Sequence, residues 1–85
     1  MIEHPGTILA RRMPRRQFGV CSLGRTIGCS APNISNILHC RRGYTAETAL
    51  QLDCAFGDAP GTWWKYWTDY QLERALEIVR ASVSR

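Results

Sequence analysis

Apolar residues recur along this chain at helical spacing and nowhere alternate with period two. After the triplet His4-Pro5-Gly6, Ile8, Leu9 and Met13 share one face, and Pro14 predicts an early end to that helix. Val20, Leu23 and Ile27 define a second helix, in which Gly24 predicts the close approach of another helix. Gly28 and Cys29 make the turn that follows. A third helix opens at Ser30, whose hydroxyl can cap the amide of Asn33, and Pro32 falls in its first turn. A fourth starts at Thr45 and carries Ala49, Leu52 and Phe56 before Gly57 ends it. Asp58 is the expected cap of a fifth helix, with Pro60 in its first turn and Trp63, Trp67 and Tyr70 on one face. Leu72, Leu76, Val79 and Val83 then continue out of phase. That shift predicts a break, or a change of packing partner, just after Tyr70.

The third helix is unusual on its outer side. At 100° per residue Ile34, Ile37 and Leu38 point inward, while Pro32, Asn33, Asn36 and His39 point outward, with Ala31 and Ser35 at the flanks. Two short helices joined at a glycine turn, the second with short polar side chains outside, form a helix-turn-helix pattern over residues 19–38. The major groove admits one helix, and asparagine can bond adenine bidentately through N6 and N7. Arg41 and Arg42 follow directly and are placed to meet phosphates, with Ser30 and His39 expected on the same phosphate side. The competing reading makes Asn33 and Asn36 ordinary solvated residues.

Charge favours the first reading. The net charge of +4 divides unevenly: residues 1–43 hold seven arginines against Glu3 alone, and residues 44–85 hold four basic against six acidic residues. A basic first half calls for a polyanion, and an acidic second half calls for another task. The arginines of "RRMPRR" fit either a solvated face or a graze along DNA.

Other functions are disfavoured. No stretch reaches the roughly 18 apolar residues of a membrane span, and the N-terminus lacks a signal-peptide run, so a cytoplasmic chain without membrane contact is expected. Cysteines 21, 29, 40 and 54 lack any C-x-x-C pair, so they are expected as reduced thiols without metal, Cys21 and Cys54 filling small buried spaces. His4 and His39 have no spaced ligand partner, and His4 is expected in the cap of the first helix. No nucleophile–base arrangement or carboxylate pair suggests an enzyme, and no cofactor is implied. Trp63, Trp67 and Tyr70 could stack single-stranded bases, but helical spacing suits a core or dimer seam better.

Three segments are similar to a known family: "HPGTIL" at 4–9, "NISNIL…RRGYTAETALQL" at 33–52 and "AFGDAPGTWWKYWTDYQLE" at 55–73 resemble the HigA-type antitoxins of the Xre helix-turn-helix group. Val20 departs from the polar residue that commonly opens the second helix there, and Cys40 from the usual glycine after the third. The resemblance implies an all-α fold: a compact five-helix bundle of the phage-repressor-like helix-turn-helix type with a C-terminal helical extension. It places base contacts at Ala31, Pro32, Asn33, Ser35 and Asn36. It further implies a homodimer on inverted-repeat operator DNA, repression of its own operon, and neutralisation of a RelE-like mRNA-cleaving toxin. One domain over residues 1–85 is expected, residues 58–85 serving dimer or toxin contact through Trp63, Trp67, Tyr70, Leu72, Leu76 and Val79. The alternative is a solitary Xre-family regulator with the same DNA-binding end and no toxin.

Overall fold

The expected stripes become five helices in the computed structural model, which describes residues 3–83. They are α1 (Pro5–Arg12), α2 (Val20–Ile27), α3 (Ala31–Leu38), α4 (Ala46–Phe56) and α5 (Thr62–Val83), with a single 3-10 turn at Pro14–Arg16 after α1. No strand occurs among the described residues. The caps explain most of the boundaries. The ring Nδ1 of His4 accepts from the Gly6 amide at 2.9 Å, and the Thr45 hydroxyl accepts from the Thr48 amide at 3.3 Å. Gly57 closes α4 in the left-handed region, at φ 71°.

The helices α1 to α4 and the first half of α5 surround one core built on Leu9, Leu23, Ile34, Leu52, Phe56 and Trp63, all fully buried. Trp63 was expected at an interface. It lies instead at 0% exposure inside this chain, its ring beside Phe56 and Tyr66, and is a core residue. Trp67 and Tyr70 are half-buried and stacked on one another, both against His4. Trp67 also covers Gly43: a Cβ there would fall 2.1 Å from its ring, so only glycine lets the backbone lie under the indole.

Asp58 does not cap α5. Its carboxylate takes the Arg12 guanidinium at 2.7 and 3.1 Å and the Trp63 indole N–H at 2.9 Å. The cap comes from Asp53 of α4, 2% exposed, which accepts the Gly61 amide at 2.8 Å and the Trp63 amide at 3.0 Å. A buried anion there satisfies otherwise orphaned amides and meets the positive end of the helix dipole. Tyr44 donates its hydroxyl proton to the Trp63 carbonyl, and burial, with Asp53 and Tyr66 nearby, pushes the Tyr44 phenol well above its ordinary pKa.

Other expectations change too. At Gly24 a Cβ would sit 2.4 Å from the Cys29 carbonyl and 3.8 Å from the Ala31 amide, so the glycine admits the turn that leads directly into α3. Cys21 and Cys54 fill no buried space but stand exposed, and all four cysteines are free thiols. Arg11 is paired with Glu3 at the surface, while Arg12 meets Asp58 and lies 5.0 Å over the Phe56 ring, so Arg12 braces the fold. No break follows Tyr70. Helix α5 runs on unbroken, and its second half leaves the body, which gives the molecule a 48 Å long axis against 25 and 21 Å. No helix among the described residues is long and apolar enough to cross a membrane.

Candidate nucleic-acid interface

The two halves of the helix-turn-helix are joined by a turn that the sequence specifies atom by atom. Gly28 takes a left-handed conformation at φ 70°, and the Cys29 amide donates to the Gly24 carbonyl at 2.8 Å. The chain then extends at Ser30, whose hydroxyl accepts from the Asn33 amide at 3.4 Å. Pro32 needs no partner for its missing N–H in the first turn. Val20, where a polar residue is common in the resembled family, packs against the core instead.

Helix α3 spans only eight residues, about 12 Å of rise. Ile34 and Ile37 anchor it in the core, and Leu38 is half-buried. On the outer side Pro32 is exposed, and Ala31, Asn33, Ser35 and Asn36 are half-exposed. The ends of the helix are tied down. His39 Nδ1 lies 2.8 Å from the Ser35 carbonyl, which fixes the proton on Nδ1 and leaves Nε2 without one in the neutral ring. Cys40 closes the helix at φ 59°, a left-handed position that costs a non-glycine residue, and its Sγ rests 3.6 Å from the Thr7 hydroxyl. The Arg41 amide donates to the Asn36 carbonyl at 2.9 Å, and the Arg41 side chain is exposed.

Asn33 and Arg42 were expected to work apart, one on bases and the other on phosphate. They are joined: Arg42 Nη1 donates to Asn33 Oδ1 at 2.9 Å. Both line a small cleft shared with Gly43, Tyr44 and Thr45 between α3 and the start of α4. No periodicity reveals such a pair, because its partners lie nine positions apart on either side of a helix end. Asn36, by contrast, makes no side-chain hydrogen bond among the described residues. Of the residues expected to mediate dimer or toxin contact, Leu72, Leu76 and Val79 lie 60, 39 and 56% exposed on the free half of α5, far along the chain from this surface.

No family model matches the sequence, and no curated protein matches it. Solved structures do. The Pseudomonas aeruginosa antitoxin HigA, solved with the higBA promoter, has a TM-score of 0.87 at 25% identity over 98% of this chain and 91% of that one. The antitoxin GraA superposes at 0.86 with 29% identity, covering 98% of this chain and 91% of its own. An addiction-module antidote protein of the HigA family from Coxiella burnetii superposes at 0.84 with 27% identity, over 99% and 94% of the two chains. Over nearly its full length the chain shares the helix-turn-helix fold of these HigA-type antitoxins.

Proposed function

We propose that the chain is the antitoxin of a type II toxin–antitoxin pair. It binds operator DNA as a two-fold dimer, represses its own operon in the cytoplasm and neutralises a RelE-like mRNA-cleaving toxin. The observation that carries this reading is the outer face of α3, short and polar, with exposed Arg41 and Arg42 at its end. The likeness to an antitoxin solved with its own promoter supports it.

In this reading α3 enters the major groove. Ala31 and Pro32 keep its leading end slim, so the backbone reaches base edges where Asn33, Ser35 and Asn36 can meet them. Arg41 and Arg42 hold phosphates. Ser30 uses an oxygen lone pair for its cap and keeps its hydroxyl proton for a phosphate. His39, at the end of the helix, faces the same phosphate side.

One eight-residue helix reads few base pairs, so two copies on half-sites about 34 Å apart supply the specificity. The dimer seam in this reading is Leu72, Leu76, Val79 and Val83. On a helical wheel these lie roughly opposite the Trp63–Tyr70 face that packs on the core, so the chain's own body does not cover them.

The test is a mobility-shift titration with the duplex upstream of the chain's own gene, paired with co-purification of the adjacent gene's product. Specific retention of that duplex and a stable complex with a ribonuclease are expected. Retention without any toxin neighbour would make the chain a solitary Xre-family regulator, and no retention would remove the repressor role.

A further inference from the structure

We infer that Arg42 decides which bases Asn33 can read, a deepening that rests on the DNA-binding reading above. A guanidinium has only donors, so the Asn33 atom that it meets at 2.9 Å must be the carboxamide oxygen. The amide is thereby oriented, with its Nδ2 hydrogens turned away from Arg42. Bidentate pairing with adenine needs that same oxygen to accept from N6 while Nδ2 donates to N7. The oxygen's second lone pair lies beside a fixed positive charge, which opposes the approach of another donor. The pair therefore turns donors alone toward the base edge, the Nδ2 hydrogens of Asn33, while the remaining N–H groups of Arg42 stay available to a phosphate. Guanine, with adjacent acceptors at N7 and O6, complements such a surface best, and cytosine, whose major-groove edge offers the N4 donor, complements it least.

Arg42 is exposed and Asn33 half-exposed, so neither is needed to fill the core, and Arg42→Met keeps the stem while removing the donors. The experiment selects binders from a random duplex library with four proteins: wild type, Asn33→Ala, Arg42→Met and Arg42→Lys. Comparing wild type with Asn33→Ala locates the position that Asn33 reads. Wild type is expected to prefer guanine there, and Arg42→Met to move the preference about tenfold toward adenine. Arg42→Lys, which still offers an N–H to Oδ1, is expected to retain part of the guanine preference. An adenine preference in wild type, or one base preferred by both wild type and Arg42→Met with only affinity lost, would overturn the inference and leave DNA readout standing. A position unchanged in Asn33→Ala would overturn it as well. No enrichment of any sequence by wild type would bring down the readout itself, and this inference with it.

Discussion

The outer face of α3 and the free half of α5 are both open surface, yet they are opposite kinds of surface. At α3 several polar groups are anchored, Ser30 to an amide, His39 to a carbonyl and Asn33 to Arg42, while Asn36 is left open. Its apolar residues are already used up in the core. On α5, Leu72, Val79 and Val83 stand 60, 56 and 75% exposed along one stripe, and the core of the described residues does not cover them. A polar surface held in shape before binding suits a ligand whose shape is fixed, such as duplex DNA. An apolar stripe on a projecting helix suits a partner that shields it from water. The two ends of the molecule are therefore suited to different tasks, and each can be damaged without the other.

The largest effect is expected at α5. Leu76→Glu with Val79→Glu should leave the monomer's melting unchanged but abolish sedimentation as a dimer. Affinity for a two-half-site duplex should fall about 100-fold or more, because the second half-site is no longer tethered. Dimers that persist in this double variant would move the seam elsewhere.

Between the two regions sits the Asp53 cap, which sets the direction in which α5 leaves the body. Asp53→Ala orphans the part-buried amide of Gly61 and the buried amide of Trp63, and urea denaturation should show a loss of about 3 kcal/mol. A loss below about 1 kcal/mol would mean that water replaces the carboxylate there.

On α3 the effects should be smaller and selective. Asn36→Ala is expected to cost about 1–3 kcal/mol on the specific duplex and little on random DNA. Equal loss on both would take Asn36 off the bases. Arg41→Ala should weaken both alike and lower the slope of log K against log salt by about one unit. An unchanged slope would place Arg41 off the phosphates.

The subtlest test is acid. Burial, and then the nearby charge of Arg74, hold His4 below its ordinary pKa of 6.5. The folded ring is neutral because Nδ1 must accept from the Gly6 amide, so the unfolded chain takes up a proton more readily. Stability from His4 is therefore complete above about pH 6.5 and is lost as pH falls through the lower folded value. Melting temperature should drop between pH 7.5 and 5, and His4→Asn, which keeps an acceptor at the cap, should flatten that drop. Glu3 titrates further down in acid, where Arg11 holds it below its usual range.

The helices of this protein were legible in its sequence because their causes are local. Stripes at three- and four-residue spacing, Ser30 and Thr45 as caps, Pro14 after α1 and Gly57 after α4 each act within one helical turn. The outward set on α3 was legible for the same reason: inward Ile34 and Ile37 leave the opposite side open. What the sequence alone left undecided depends on residues distant along the chain. Arg12 meets Asp58 across 46 positions, which turns an apparent part of a basic patch into a brace and takes Asp58 from the role of cap. Asp53 takes that role from eight to ten positions away, because the fold of α4 against α5 aims its carboxylate at the new helix start. The phase shift after Tyr70 has two local readings, and only the packed body decides between them. Trp63, Trp67 and Tyr70 meet the core while Leu72, Leu76 and Val79 face away, since a continuous helix can turn only one side toward a single body.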